Sequence, residues 1–436
     1  MKTFLITLLC LPTLVHAQTI AKKADALLTA YSNQKKFSGA VLIAKEGQVV
    51  FQKAYGYADL ENHKPNTIQT EFRVGSLTKM FTSTVILRLV EEGKLSLKDP
   101  VSKYLPGFAH GDSIQIINLL SHTSGITGTT LPPAATTPEE SVERFHSETL
   151  AFTPGSRFEY NNFNYILLAY IAEKLAGIPY SQLVQQKVLK PAHMLHSGLD
   201  TKNRASANKA FGYVTNPETI EWVRAEQGNV EMAFGAGALY STIGDLYKWS
   251  EAISSHQILT SSSLAMAMTP MQNNYGMGWM LSDDHGRTQV GHTGSIPGFI
   301  ANFMKFPKEN TTIILLSNYQ DVNGKQLSDD LRALVFGEPY SLPVQKRVVA
   351  VPVDVLNRYA GEYQLPNGFI ITVSVEENKL KALAQGDPTK MELTPESDTK
   401  FFLRGPETEI EFITEDSRVK YMFVNMQGGQ KFTKVK

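Results

Sequence analysis

The chain has 436 residues, of which 42% are hydrophobic, and its 42 basic side chains balance 42 acidic ones. This composition is typical of a globular protein with a sizeable core, and the length favours two or three domains. Because phosphate binding relies on a local excess of lysine and arginine, the balanced charge argues against nucleic acid as a main partner.

The first residues differ in character from the rest. Lys2 precedes an apolar run, Phe4–Leu11, and Val15–Ala17 has the small residues of a cleavage site. This pattern predicts a signal peptide over residues 1–17, cleaved after Ala17, and therefore a secreted or periplasmic protein. The alternative is a buried first helix or an uncleaved anchor, but the run is too short to span a bilayer, and no later segment reaches that length.

Cys10 is the only cysteine, so cleavage would leave none in the mature chain. A disulfide scaffold, a cysteine nucleophile and a cysteine zinc site are therefore excluded for the mature protein.

The N-terminal part predicts a helix followed by a hairpin. The helix is expected near residues 19–35. The segment SGAVLIAKEGQVVFQKAYGYAD then holds two apolar, β-branched runs that are joined by a turn at residues 45–48.

Three helices are predicted in the middle of the chain. Ser76–Glu92 is apolar enough to be largely buried, and Gly93 ends it. Residues 164–177 form a second apolar helix. Residues 242–253 form a third, for which Thr242 is a suitable N-cap.

A second hairpin, around Pro307–Asn310, places strands at both ends of this region. This order predicts an α+β domain over residues 18–340, in which an antiparallel sheet is assembled from both ends and covered by the central helices. The proline-spaced residues 341–355 are expected to be a linker. Residues 356–436 consist of short strand-like pieces and predict a small all-β domain, either a barrel (lipocalin-like) or a sandwich.

A serine followed three positions later by a lysine is a candidate for chemistry, since the two side chains share one face of a helix. An uncharged lysine can take the proton of a serine hydroxyl and make it a nucleophile. This spacing occurs five times: Ser32/Lys35, Ser76/Lys79, Ser206/Lys209, Ser397/Lys400 and Ser417/Lys420.

Context favours Ser76 and Lys79. Only this pair follows a glycine, opens a helix and precedes an apolar stretch that would bury the lysine. Burial disfavours the ammonium form and lowers the pKa of a lysine toward the range where it acts as a base. The alternative is a capping serine beside a surface lysine.

Two further motifs strengthen the case. Tyr160-Asn161-Asn162 stands at the edge of a predicted helix, although the same spacing at Tyr31 shows that it also arises by chance. The second motif, His292–Gly294, lies on a predicted strand, where a glycine lets a ligand approach the backbone. The alternatives are a turn tyrosine with a capping asparagine, and a histidine that faces solvent.

These three motifs, in this order, resemble those of the penicillin-recognising serine hydrolases, most closely the class C β-lactamase-related group with its D-alanyl-D-alanine carboxypeptidases and esterases. The flanks LLSHTSGI, GAGALYSTIGDLYKW and YGMGW are also similar. The likeness covers about residues 22–335. It implies a β-lactamase/transpeptidase-like fold with a mainly helical subdomain, and the β unit resembles the small C-terminal domain of some members.

The resemblance implies that Ser76 is the acylated nucleophile, that Lys79 holds its proton network and that Tyr160 is the general base. A free tyrosine has a pKa of about 10, so a phenolate near neutral pH needs a nearby positive charge, for which Lys79 is the source. Whether Lys79 or Tyr160 takes the serine proton stays open, because the protons belong to the whole cluster.

The resemblance also implies a substrate site without a metal or cofactor. The backbone N–H groups of Ser76 and Ser295 would form the oxyanion hole. Asn162 would bind the substrate amide. The expected substrate-binding residues are Asn162, His292, Thr293, Gly294 and Ser295.

Lysine usually stands where this chain has His292, and histidine is a less dependable anchor for a carboxylate. Efficient penicillin hydrolysis is therefore less expected than action on D-amino-acid peptides, including cell-wall-derived ones, or on small esters. A true β-lactamase and a catalytically silent binding or sensor protein are the alternatives. His122 is a candidate second base, but a structural role for it is favoured. The oligomeric state stays open.

Overall fold

The computed structural model describes residues 11–127, 137–144, 149–216, 221–226, 228–343, 348–403, 408–416, 418–425 and 429–436. The chain forms two compact units. The first consists of the residues up to Val214 together with Arg224–Leu342, and the second consists of Thr215–Val223 together with Pro343–Lys436. The first ten residues of the predicted signal peptide lie outside the described residues, and the first helix continues through Ala17. No helix in the described ranges is long and apolar enough to cross a lipid bilayer.

The helices are α1 Leu11–Asn33, α2 Thr78–Glu91, α3 Ile116–Leu120, α4 Pro138–Arg144, α5 Asn162–Ala176, α6 Tyr180–Val184, α7 Phe234–Gly237, α8 Ile243–Ser254, α9 Ser261–Ala267, α10 Gly324–Phe336 and α11 Val353–Tyr359. The strands up to Ser317 are β1 Gly39–Lys45, β2 Gln48–Tyr55, β3 Tyr57–Asp59, β4 Lys64–Pro65, β5 Phe72–Arg73, β6 Gly198–Leu199, β7 Tyr213–Thr215, β8 Trp222–Arg224, β9 Leu239–Ser241, β10 Met280–Asp284, β11 Arg287–Ile296, β12 Phe299–Phe306 and β13 Thr311–Ser317. They belong to the first unit, except for the last residue of β7 and the first two residues of β8. The remaining strands are β14 Gly361–Gln364, β15 Ile370–Glu376, β16 Lys379–Ala384, β17 Met391–Pro395, β18 Lys400–Leu403, β19 Thr408–Glu415, β20 Arg418–Asn425 and β21 Gln430–Lys434.

The main sheet of the first unit is antiparallel and is assembled from both ends of the unit, as predicted. Its strand order is β10-β11-β12-β13-β1-β2. Strand β1 is central, since Gly39 pairs with Ser317 on one side and with Tyr55 on the other. Every residue of β13 is buried, and its apolar run Ile313–Leu316 shows no polar alternation, as expected for an inner strand that is covered on both faces.

Helix α2 is buried on almost its whole surface, which confirms the predicted buried helix. A turn of 3₁₀-helix, Gly75–Leu77, precedes it. Gly75 has a φ of +52°, a left-handed value that glycine adopts without steric cost. Ser76 therefore stands at the N-terminal end of a buried helix, where backbone N–H groups have no partner within the helix.

The other two predicted helices are present, with ends that lie within about two residues of the predicted ones. The Asn161 side chain accepts a hydrogen bond from the Phe163 N–H at the start of α5, and left-handed Gly177 ends that helix. Thr242 caps α8 by accepting a hydrogen bond from the Asp245 N–H, 3.1 Å away. The Asn161 cap fixes where α5 begins, and so it fixes the position of the Tyr160-Asn161-Asn162 segment.

The second unit contains a closed barrel of eight antiparallel strands, β14 to β21. The pairing of Tyr363 with Lys434 closes it. Its interior is filled by side chains, as in other small barrels, and Tyr359 stacks on Phe412 with 4.3 Å between ring centroids. The residues from Leu356 were predicted to begin with a strand, but a short helix, α11, precedes the first strand of the barrel. Leu356 and Tyr359 lie about one helical turn apart, and both are buried in this core.

Candidate active site

Ser76 and Lys79 lie next to each other at the start of α2. The Lys79 Nζ is 2.9 Å from the Ser76 Oγ. Lys79 is completely buried, whereas Ser76 lines the cleft described below. The turn Gly75–Leu77 and the first turn of α2 thus place a hydroxyl at the surface of the cleft and an amine directly behind it.

Lys79 has two further partners, and both can only accept hydrogen bonds. Its Nζ is 2.8 Å from the Asn162 Oδ1 and 2.8 Å from the Ala236 carbonyl oxygen. Among the residues that the structure describes, none of the three hydrogen-bonding partners of Lys79 is a carboxylate, and burial lowers the pKa of Lys79 well below its usual value. A neutral amine would donate its two hydrogens to Asn162 and Ala236 and offer its lone pair to the Ser76 hydroxyl.

Tyr160 completes the group of proton-carrying side chains. The Lys79 Nζ is 4.9 Å from the centroid of the Tyr160 ring. Burial raises the pKa of Tyr160 to about 12, while a hydrogen bond with Ser76 acts in the lowering direction. In the free enzyme, burial is thus the largest effect on the pKa of this phenol and keeps it protonated near neutral pH.

His292 lies inside the protein at the third motif. It is 2% exposed, its Nδ1 donates to the Thr293 carbonyl oxygen at 2.5 Å, and its Nε2 is 3.1 Å from the Tyr275 hydroxyl. Burial, together with the nearby charge of Lys79, lowers the pKa of His292 to about 3. The histidine is therefore neutral near pH 7 and offers no positive charge to a carboxylate. Thr293 is exposed, and its hydroxyl is 3.8 Å from the Met280 sulfur.

The glycines of the first and third motifs bring two backbone segments together. A Cβ on Gly294 would lie 2.0 Å from the Val74 carbonyl oxygen, and one on Gly75 would lie 2.9 Å from the Ser295 nitrogen. The pairing of β11 with β10 ends at Gly291, so Ser295 is paired only with β12. This close approach brings the backbone at Ser295 beside the turn that carries Ser76, as an oxyanion hole requires.

Two cavities meet at Ser76 and Ser295. The smaller has a volume of about 340 Å³, and its apolar lining includes Phe163, Ile166, Val230, Met232 and Ile296. The larger has a volume of about 910 Å³ and extends along β10, β11, β12 and α10. Ser76 is therefore in the lining of both cavities.

The cationic side chains that line these cavities already have carboxylate partners. Among the described lining residues, the lysines and arginines and their nearest carboxylate oxygens are Arg73 with Asp200 at 2.7 Å, Lys325 with Asp329 at 2.6 Å, and Arg332 with Asp284 at 2.8 Å. A substrate carboxylate would have to compete with these pairs.

Sequence reasoning missed two groups of the site. The Ala236 carbonyl holds Lys79, and Tyr275 holds His292. Both lie in segments that resemble the family, GAGALY and YGMGW, but a backbone carbonyl leaves no signal in a side-chain pattern. Asn162 lines the smaller cavity as expected, although its oxygen is bound to Lys79.

Comparison with known proteins identifies the families that the two parts of the chain resemble. The Beta-lactamase family model matches residues 24–337, and a domain of unknown function, DUF3471, matches residues 345–435. A penicillin-binding protein of Bacillus subtilis strain 168 is 28% identical over 447 residues, which cover 95% of this chain and 98% of the relative.

A second Bacillus subtilis relative, described as the penicillin-binding protein PbpX, is 34% identical over 318 residues, which cover 70% of this chain and 79% of the relative. A solved structure of a D-stereospecific amidohydrolase from a Streptomyces species is 25% identical, with a TM-score of 0.61, and the match covers 74% of this chain and 99% of that one. The chain therefore belongs to the beta-lactamase family of serine hydrolases and carries a C-terminal β-barrel domain.

Proposed function

We propose that the protein forms an acyl-enzyme at Ser76 and acts on D-amino-acid peptides, including cell-wall-derived ones, or on small esters. The observation that carries this proposal is the position of Lys79, which is buried among three hydrogen-bonding partners, none of them a carboxylate, with the Ser76 oxygen 2.9 Å away. This environment favours the neutral amine, which is the form that can accept a proton.

In the proposed acylation step, Lys79 takes the proton of the Ser76 hydroxyl while the oxygen attacks the substrate carbonyl. Tyr160, whose pKa of about 12 keeps the phenol protonated, gives its proton to the leaving group and regains one from the Lys79 ammonium. Water then attacks the ester, its proton passes to the same cluster, and Ser76 is released. No net proton is gained or lost by the enzyme over the cycle.

The backbone N–H groups of Ser76 and Ser295 would hold the developing oxyanion, an interaction for which one donor is typically worth ~3 kcal/mol. The amide nitrogen of Asn162 would bind the substrate carbonyl, since its oxygen is bound to Lys79. Thr293 and Gly294 would line the strand edge along which the substrate lies.

Neutral leaving groups suit this site better than carboxylates. His292 is buried and neutral, and the three cationic side chains lining the cavities are paired. We therefore place esters and peptide amides ahead of substrates with a free C-terminal carboxylate, and ahead of penicillins, which also carry one. The similar D-stereospecific amidohydrolase supports a D-configured acyl group.

We also propose that the protein is secreted or periplasmic and that its signal peptide is cleaved after Ala17. The apolar run with Lys2 before it and small residues after it supports this proposal. N-terminal sequencing of the protein exported by its host would begin at Gln18, whereas an intact Met1 would contradict the proposal.

Turnover of a panel of esters, D-peptide amides, D-peptide acids and a chromogenic cephalosporin tests the function. Ser76→Ala should abolish turnover and labelling by a serine-directed phosphonate. The control is Ser206→Ala, which removes a serine with the same spacing to a lysine outside the cleft and should leave both intact. Full activity of Ser76→Ala would refute the proposal, and rapid multiple turnover of the cephalosporin would identify a β-lactamase instead.

A further inference from the structure

His122 lies behind the site, at the turn that follows α3, and the proposed reaction does not use it. It is completely buried, and its φ of +56° lies in the left-handed region, where histidine is found more often than most residues with a side chain. A buried imidazole needs a hydrogen-bond partner, and the partner of His122 lies beside Tyr160.

His122 holds the backbone on both sides of Tyr160. Its carbonyl oxygen accepts a hydrogen bond from the Glu159 N–H at 2.9 Å, and its ring Nδ1 accepts one from the Asn161 N–H at 3.1 Å. The N–H groups of the residues before and after Tyr160 are therefore both bound to this one residue.

The ring of His122 also packs against the ring of Tyr160. Their centroids are 4.3 Å apart and their planes are inclined by 37°. Tyr275, Tyr165 and Phe158 enclose the other sides of the imidazole, with centroids 4.9, 5.1 and 5.9 Å away. The Tyr160 ring is therefore held by its contact with the imidazole as well as by the hydrogen bonds of the neighbouring backbone.

The hydrogen bonds determine the tautomer of His122. Because Nδ1 accepts from a backbone N–H, the proton is on Nε2, which has no hydrogen-bond partner among the described residues. Burial is the main cause that lowers the pKa of His122 well below its usual value, so the ring stays neutral. The imidazole is therefore a fixed acceptor and not a second base.

Neighbouring contacts extend the same support. The Asn161 side chain donates to the Ile126 carbonyl oxygen at 2.8 Å, and the Ser124 hydroxyl donates to the Asn164 side chain at 2.8 Å. The segment SHTSGI therefore holds the segment that carries Tyr160 and Asn162 in place through hydrogen bonds.

We infer that His122 is a positioning residue that holds the Tyr160 phenol in place for proton transfer, through its bond to the Asn161 N–H and its contact with the ring. The inference rests on the proposed function, in which Tyr160 passes a proton to the leaving group. Misplacement of such a group by about 1 Å can cost ~100-fold in rate.

The test compares two variants of the full-length protein that differ in one acceptor. His122→Asn keeps an oxygen near the position of Nδ1 and tolerates a positive φ, whereas His122→Ala removes both the acceptor and the ring. With an ester substrate, His122→Ala should lower kcat ~30-fold and change KM by no more than ~3-fold, and His122→Asn should recover kcat to within ~5-fold of the unmodified enzyme.

A double-mutant cycle with Tyr160→Phe identifies the residue through which His122 acts. In the Tyr160→Phe background, the effect of His122→Ala on kcat should shrink to less than ~2-fold, because the phenol is already absent. Leu246→Ala, a core change on α8, is the reference for destabilisation without misplacement of Tyr160, and its kcat below the unfolding temperature should be unchanged.

The inference is overturned if His122→Ala and His122→Asn lose the same activity, or if the loss persists in the Tyr160→Phe background. If His122→Ala does not fold, the double-mutant cycle is measured with His122→Asn. A full kcat, or a loss of kcat that disappears in the Tyr160→Phe background, supports the inference. A loss of kcat that persists in that background overturns it. Failure of the proposed function is distinguishable, because the unmodified enzyme would then show no acylation of Ser76 at all.

Discussion

Gly294 passes so close to Val74 that a Cβ at position 294 would lie 2.0 Å from the Val74 carbonyl oxygen. This contact joins the strand that carries the third motif to the turn that carries the serine. The atom in the way belongs to the backbone, so no side-chain rotation can relieve the clash.

Gly294→Ala should therefore move β11 away from Ser76 and destabilise the fold by about 1–3 kcal/mol, the usual cost of overpacking. We expect acylation to be lost even in the folded fraction, because Ser295 moves with the strand. Urea unfolding and phosphonate labelling of Ser76 measure the two effects. The control is Gly244→Ala on α8, where the nearest atom is 3.9 Å from the new Cβ, and it should leave labelling unchanged.

Asn162→Asp should place a negative charge against Lys79, whose Nζ is 2.8 Å from this side chain. An adjacent carboxylate favours the ammonium and raises the pKa of Lys79, so the amine is neutral only at higher pH. We expect kcat/KM at pH 7 to fall by at least ~10-fold and to recover partly as the pH rises.

The pH profile of kcat/KM measures this change. Its acidic limb should move to higher pH in Asn162→Asp. The control, Asn229→Asp, adds the same charge to the lining of the smaller cavity without contacting Lys79, and its profile should match that of the unmodified enzyme. An acidic limb that stays in place in Asn162→Asp would show that Lys79 is not the base.

His292 should make the folded state less stable in acid. Its pKa is lowered from 6.5 to about 3 by burial. Between these values the unfolded chain binds a proton that the folded chain does not, so stability is complete above pH 6.5 and is lost as the pH falls toward 3, by up to ~1.4 kcal/mol per pH unit.

His292→Gln keeps a neutral polar group facing Tyr275 and should flatten this slope. Urea unfolding between pH 4 and pH 7, a range chosen to fall roughly within the titration window, compares the two proteins. Equal slopes would mean that His292 is protonated inside the fold, with a positive charge available to the substrate site.

Leaving-group charge should separate good substrates from poor ones. A D-peptide amide should have a kcat/KM at least ~10-fold higher than the corresponding free acid, because the carboxylate of the acid finds no unpaired cation among the described residues that line the site. A cost of ~1.4 kcal/mol in binding the carboxylate corresponds to a factor of ten. Steady-state kinetics on matched amide and acid pairs measure this ratio. A preference for the free acid would show that one of Arg73, Lys325 and Arg332 leaves its partner to bind the carboxylate.

Much of the fold could be predicted from local pattern. The buried helix after Ser76, the capping of α8 by Thr242, the hairpin around Pro307–Asn310 and the all-β unit each follow from apolar periodicity or turn chemistry over a few residues. The α11 helix was missed, because two core residues one helical turn apart are a weak signal in a segment of only seven residues.

The site could be predicted only as far as its residue types. Ser76 was singled out from five candidates because the sequence after it would bury Lys79. The direction of the Tyr160 pKa could not be predicted, since it depends on how much protein covers the phenol and not on which charges are near in sequence. The bond between Lys79 and the Ala236 carbonyl joins positions 157 residues apart and has no side-chain signature.

Rapid-quench mass spectrometry tests the central claim most directly. The enzyme is mixed with a D-amino-acid ester, quenched within one turnover, and mapped by peptide digestion. We expect the mass of one acyl group on the peptide that contains Ser76, and none in Ser76→Ala. Turnover of the ester with no adduct on that peptide, or with the adduct on another residue, would contradict the account.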